Sequence, residues 1–350
     1  MIAIHDSPGG FSDRWRDYCY LNSLPFINVD IFDTNLLRIL KEHNVEAVLL
    51  HPPMYSSASE IATKSIVHAL NLAGLLVFPS PDEIWHFDDK IAQKYLFDAI
   101  DAPTARTDVF FTREAAEEFA ATCEYPVVLK LKQGAGSINV ALCKNRSDAN
   151  REIRKLFGKG ITPASSARKD ILNKVRRHKS NRDWIQTLAR LPRTLLTMLS
   201  LERKLNRERG YIYFQAFIPR NEFDIRVTII GKKAFGFRRL VRPNDFRASG
   251  SNNIDYDPNG IALDFVESAF DLARKIGTRC IAIDFVSDPD TGKPVLLEIS
   301  YAFNSHAVRK CPGYWDEDLI WRSGQQFPED LILEAILVEL ERRKEVANTR

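Results

Sequence analysis

Three groups of residues in this 350-residue chain have types and spacings suited to chemistry on phosphate or carboxylate groups. The first is YPVVLKLKQGAGSINV, where an apolar strand presents Lys130 and a turn of small residues follows, Gly134, Ala135, Gly136 and Ser137. Small residues let backbone N–H groups approach phosphate oxygens, and a lysine adds a point charge. The same pattern also fits a hairpin turn with a solvated lysine. The second is a pair of carboxylates in apolar strands, Asp284 in IAIDFV and Glu298 in LLEIS. An unpaired carboxylate is costly to bury. Either the DPDTG turn makes a hairpin and the two face one side as oxygen ligands for Mg²⁺ on nucleotide phosphates, or each pairs with an arginine. The third group, NEFDIRVTII, FGFRRL and NDFRASGS, supplies Asp224, Arg226, Arg238, Arg239 and Arg247. Guanidinium forks suit phosphate and carboxylate groups and stabilise charge that develops in phosphoryl transfer. Alternate strand positions face opposite sides, so Arg238 or Arg239 taken separately reads as a surface cation.

The elements that must hold these residues follow from hydrophobic periodicity. MIAIHD, PFINVDIF, VEAVLLHP and LLVFPS read as strands, with helices at DTNLLRILKEHN and SEIATKSIVHALNLAG between them. This alternation predicts a parallel sheet covered by helices over residues 1–80. Asp33 or Thr34 is the expected N-cap of the first helix and Gly74 the stop of the second. PSPDEIWHFDDKIAQKYLFDAIDAPTA reads as one helix ending near Pro103. Beyond it come a strand at TDVFFT, a helix at TREAAEEFAATCE, and strands at YPVVLKLKQ, VALCKN, YIYFQAFI, DIRVTIIG and KKAFGFRRL. ESAFDLARKIG is a helix, RCIAIDFVS and PVLLEISY are strands, and LILEAILVELERRKEV is a helix.

With 45% apolar and 27% charged residues the composition is that of a globular protein, and the length implies two or three domains. Five cysteines without CxxC spacing argue against a disulfide scaffold or zinc module and fit a reducing cytosol. Neither a signal peptide nor an apolar run near the roughly 20 residues of a membrane span is evident, so a cytoplasmic protein is expected. The net charge of +3 is uneven: residues 151–210 carry 17 Lys or Arg against 5 acidic residues, an excess that favours anionic partners. Within it Trp184, Ile185, Leu188, Leu191, Leu195, Leu196, Leu199 and Leu205 give a partly amphipathic face interrupted by Pro192. Cys311 is a candidate nucleophile without a partnered histidine, and reads better as a structural thiol. His51, in LLHPP at a strand end, sits where open parallel sheets bind ligands, and a substrate contact and a loop histidine without a role fit it equally.

No single motif is specific, but their order is. A helix lysine (Lys90), Lys130 before the small-residue loop, the strand YFQAFIP, Asp-Ile-Arg, Asp-Phe-Arg and the Asp284…Glu298 pair resemble the ATP-grasp superfamily. In particular they are similar to the RimK-like carboxylate–amine ligases. The resemblance covers about residues 80–310. It implies an α/β (α+β) architecture: a Rossmann-like domain at 1–80, a central lid subdomain at 81–150 and 210–220, a basic helical insertion at 151–209, a C-terminal subdomain with the metal site at 221–335, and a helix and tail at 336–350. By resemblance, Lys90 and Lys130 hold ATP phosphates, with Lys130 also near the adenine, and Gly134, Gly136 and Ser137 form a flexible lid. The backbone around Gln215 to Phe217 pairs with the adenine edge, and Asp224 contacts nucleotide. Arg226 and Arg247 lie at the transferred phosphoryl group, and Asp284 and Glu298 bind magnesium or manganese. This chain departs from the pattern at Ala216, where a hinge glutamate is usual. It departs also at Ser300, where a third metal ligand is usual and which Ser300 or Asn304 replaces, and at ASGSNN, where Ser249 or Asn252 takes the place of an asparagine.

The resemblance implies a ligase that activates a carboxylate with ATP and joins it to an amine. A kinase on the same fold and a non-catalytic nucleotide binder are the alternatives. The tail KCPGYWDEDLIWRSGQQFPEDLILEAIL more weakly resembles ATP-grasp proteins of bacterial surface-polysaccharide assembly. The basic stretch then suggests a uronic-acid glycan, or an anionic membrane surface bearing a lipid-linked sugar met through residues 165–205. A solvated helical excursion is as good a reading of it. Nucleic acid is not expected as a partner, because no aromatic-interleaved basic motif is present.

Overall fold

The computed structural model describes residues 1–51, 57–133, 139–162, 207–242, 246–248, 250 and 253–348. Gly134, Gly136, Ser137, Ser249, Asn252 and the segment 165–205 lie outside the described residues.

The first 80 residues form a parallel sheet, as the alternation implies. Strands β1 (Ile2–His5), β2 (Phe26–Val29), β3 (Ala47–Leu49) and β4 (Leu76–Phe78) pair in the order β2-β1-β3-β4. Helices α1 (Phe11–Leu21), α2 (Leu36–Glu42) and α3 (Ser57–Leu72) connect them. Periodicity did not reveal α1: its buried apolar residues Phe11, Trp15 and Cys19, spaced four apart, stand between charged ones. The N-cap of α2 is Asn35 rather than Asp33 or Thr34, because the Asp33 carboxylate instead accepts from the Asn35 N–H and closes the turn before the helix. Gly74 follows α3 at φ +85°, a conformation open to glycine.

The single helix expected up to Pro103 is two helices. A Ser80–Glu83 capping box starts α4 (Pro81–Ile84), and Asp89 caps α5 (Lys90–Ala99) by accepting from the N–H groups of Ile91 and Ala92. Asp88 between them adopts φ +48°, which breaks the helix and sets Lys90 at the first turn of α5.

A second, antiparallel sheet contains β5 (Thr107–Phe110), β6 (Val127–Lys130), β7 (Val140–Cys143) and β8 (Ile212–Ala216), in the order β5-β8-β6-β7. Helices α6 (Arg113–Thr122) and α7 (Arg146–Leu156) cover one face, sharing a core of Ala116, Leu129, Ile153 and Phe214. The opposite face presents Lys130.

The third sheet is built from β9 (Phe223–Ile230), β10 (Lys233–Leu240), β11 (Ile254–Asp255), β12 (Cys280–Ser287), β13 (Pro294–Ser300), β14 (Gly313–Trp315) and β15 (Trp321–Ser323). Its order is β13-β12-β9-β10-β14-β15, with β11 on β10. Ile225, Val227 and Ile229 of β9, with Ile281, Ile283 and Phe285 of β12, pack on α8 (Leu263–Ile276). Their alternates point the other way: Ile230, Phe235, Phe237 and Ala282 join the core of the first sheet, and Asp224, Arg226 and Asp284 line a cleft. A period of two thus separates core from site. After α9 (Ser305–Arg309), the long helix α10 (Pro328–Asn348) packs against α1, and Arg14 forms a two-pronged ion pair with Asp330. Among the described residues no helix is long and apolar enough to cross a membrane.

Candidate functional site

A cavity of about 480 Å³ opens between the second and third sheets and reaches the first. Lys90 of α5, Lys130 of β6, and Gln215 and Phe217 at the end of β8 line it, together with Asp224, Arg226, Arg247, Asp284 and Glu298. Every described residue expected at the site is therefore brought to one place.

The turn between β12 and β13 is a hairpin, and Asp284 pairs in register with Glu298. Arg226 lies opposite Asp284 on the other neighbour, β9. This row places carboxylate, carboxylate and guanidinium side by side across the cleft floor. Both Arg226 prongs reach Asp284, at 2.6 and 2.7 Å. Arg239, opposite Asp224, grips that carboxylate at 2.6 and 2.7 Å and also reaches Asp284 at 2.8 Å. The pairing with arginines that the sequence left open is thus realised for Asp284. It uses three of the roughly four lone-pair directions of a carboxylate.

Electrostatics follow from this geometry. Burial alone would raise the Asp284 pKa, but Arg226 and Arg239 outweigh it and hold the carboxyl well below the usual range. At Asp224 burial prevails over Arg239 and the pKa is raised. Arg239 is 7% exposed, contrary to its reading as a surface cation. Strand alternation does send one of the two arginines outward: Arg238 pairs with Asp255 and stacks on Phe223. The register of Asp224 opposite Arg239 is the missed signal, and it requires knowing how β9 and β10 are aligned.

The two lysines differ. Lys90 is buried and ion-paired with Glu298 at 3.2 Å. Burial lowers its pKa, but Glu298 and the neighbouring aspartates more than reverse this, so it is raised. Lys130, 9% exposed on β6, has no carboxylate within ion-pair distance among the described residues. Burial, with Lys90 nearby, pushes it down to about 8. An unpaired buried ammonium is unfavourable unless an anion arrives. Gln215 donates to Thr107 at 3.1 Å, tying the end of β8 to β5, and Phe217 packs edge-on against Phe246.

The Ser300 hydroxyl donates to the Ala302 carbonyl at 2.6 Å, and the Asn304 side chain caps α9. Both residues line the cavity. Cys311 is 1% exposed, its thiol pushed up to about 12 by burial, which fits a structural role.

No protein-family model matches the chain, and no curated protein matches its sequence. Solved structures do match in three dimensions. A RimK-domain ATP-grasp protein from Sphaerobacter thermophilus superposes with a TM-score of 0.53 at 15% identity, over 96% of this chain and 100% of that one. This chain has the ATP-grasp fold. The biotin carboxylase domain of Hydrogenobacter thermophilus 2-oxoglutarate carboxylase, solved with MgADP, ADP and bicarbonate, matches at TM-score 0.58 and 13% identity, over 95% and 68% of the two chains. The ATP-grasp ligase PsnB, solved with a minimal precursor, Mg and ADP, matches at TM-score 0.52 and 12% identity, over 97% and 98%. In ATP-grasp terms the cavity lies between the two antiparallel sheets, with the parallel sheet closing one end.

Proposed function

We propose that this protein is an ATP- and magnesium-dependent ligase that activates a carboxylate as an acyl phosphate and joins it to an amine. The observation that carries the reading is Lys130: a buried cation without an ion-pair partner among the described residues, facing a floor of Glu298, Asp284 and Arg226. That arrangement suits a magnesium-bound polyphosphate better than a neutral ligand. The ATP-grasp fold, and the nucleotides bound by the structures it resembles, support the same reading.

The donor set fits magnesium. Glu298 and Asp284 are adjacent hard oxygen donors at the cavity, and Mg²⁺ is usually held by one or two carboxylates with phosphates and waters completing its shell. Bound there, the ion would neutralise phosphate charge. Lys90 and Lys130 would hold phosphate oxygens, and the hinge at Gln215 to Phe217 the base. Arg226 and Arg247 would face the transferred group. Arg239 fixes Asp224 and Asp284, so the floor is preorganised before substrate arrives.

A carboxylate oxygen attacks the γ-phosphorus and ADP leaves with the electrons of the broken P–O bond. The lone pair of an uncharged amine then attacks the acyl carbon. The C–O bond to phosphate breaks, phosphate takes the electron pair, and the proton lost by nitrogen passes to phosphate or solvent. Positioning and charge neutralisation do most of the work, and no side-chain nucleophile is needed. For the acid we propose a uronate of a surface glycan or its precursor, on the support of the basic stretch 151–210 in the sequence.

The test is ADP release from pairs of carboxylates and amines, uronic-acid glycans included, with mass spectrometry of the product. Amide formation that requires both partners is expected. A stable phosphorylated product indifferent to amine would make the protein a kinase, and tight MgATP binding with no turnover on any pair would make it a binder.

A further inference from the structure

Among the described residues His51 is the one imidazole lining the cavity, and it follows a strand of the parallel sheet rather than of the two antiparallel sheets. It follows β3, at the carboxyl end of the strands, where open α/β sheets present ligand-binding groups. Its ring stacks obliquely on Phe11, 4.2 Å between centroids, and Phe11 packs on Phe303 at 5.3 Å. Gly10 leaves the space: a Cβ there would stand 2.8 Å from Nδ1 of His51. The imidazole is thus positioned by packing, while its nitrogens make no hydrogen bond and meet no carboxylate at ion-pair distance among the described residues.

We propose that His51 docks the amine substrate, its free lone pair accepting an N–H hydrogen bond from an uncharged amine beside Phe11 and Phe303. The inference rests on the ligase reading of the same cavity. Its physical basis is the state in which an amine must react. A carboxylate partner would hold the amine as an ammonium, which has no lone pair to attack with. An aromatic pocket disfavours the charged form by desolvation, and a neutral acceptor leaves the nitrogen lone pair free. Burial lowers the His51 pKa to about 4, so the ring is neutral at ordinary pH. The same low basicity makes it a poor proton acceptor from an ammonium, so the role is docking and selection rather than general base catalysis.

The experiment uses the full chain, labelled with ¹⁵N-histidine and saturated with Mg²⁺ and AMPPNP at pH 8. Among the seven histidines, the His51 ring signal is assigned by its loss in His51→Phe. Three small probes are titrated: methoxyamine, an uncharged amine; methylammonium; and acetate. Methoxyamine is expected to move the His51 resonance saturably while the other two leave it in place. Saturation transfer to methoxyamine should vanish in His51→Phe and persist in His51→Gln, which keeps an acceptor, with both variants melting cooperatively. Movement by acetate instead of methoxyamine, or by no probe, overturns the proposal. Absence of any AMPPNP binding is a separate result that removes the ligase reading and this inference with it.

Discussion

Arg239 Nη2 reaches Asp284 at 2.8 Å while the same nitrogen donates to Asp224 at 2.7 Å, and so ties β10 to β12 across the intervening strand β9. The two carboxylates and two guanidinium groups form a largely buried charge cluster lining the cavity. Removing one member leaves a largely buried opposite charge short of its partner, which costs roughly 3–5 kcal/mol. Arg239→Met should therefore lower the urea midpoint sharply as well as abolish turnover. Arg239→Lys, a point charge in place of a fork, should restore little of either. Equilibrium unfolding beside the ADP-release assay checks both.

Glu298→Gln should leave the fold intact, since Glu298 retains one-third exposure and one ion pair. Its expected effect is on metal dependence. Calorimetry of ADP with and without Mg²⁺ should show a large magnesium enhancement in the parent and little in the variant. EDTA should reduce the parent to the level of the variant.

The pKa of Lys130 sets a pH limit on nucleotide affinity. Below about pH 8 the ammonium is charged and ready for phosphate; above it the free protein loses that proton. Bound phosphate favours the charged form, so binding at higher pH takes up a proton and weakens by up to about tenfold per unit. MgADP titrations at pH 7, 8, 9 and 10 in two buffers of different ionisation heat measure both the slope and the proton uptake.

Stability has its own pH window. Burial, aided by Lys64, lowers the His86 pKa to about 4, and His51 falls to about 4 through burial alone. The unfolded chain protonates these rings near pH 6.5 and the folded one only near 4. Stability is thus full above 6.5 and falls as pH drops through that window, by up to about 3 kcal/mol for a fully buried ring. Urea midpoints at pH 7.5, 5.5 and 4.5 should decline in the parent, and His86→Phe should remove about half of that decline.

Much of this was legible in the residue order. Lys130 on its apolar strand, the Asp-Ile-Arg strand and the Asp284…Glu298 hairpin have period-two patterns that orient their own side chains, and the structure brings them to one cavity. What stayed hidden depends on partners distant in sequence. Arg239 is distinguished from Arg238 only by the register of β9 on β10. The break between α4 and α5 turns on the backbone of Asp88. Helix α1 buries one narrow stripe, against the first sheet and against α10, more than 300 positions away.

A magnesium nucleotide is expected over the third sheet, with its phosphates on Lys130. Calorimetric titration of MgADP into the parent and Lys130→Met, at pH 7.5, tests it most directly. Saturable one-to-one binding that weakens by roughly 10–100-fold in the variant is the expected result, the worth of one charge-assisted contact. No binding to the parent, or equal binding to both proteins, would contradict it.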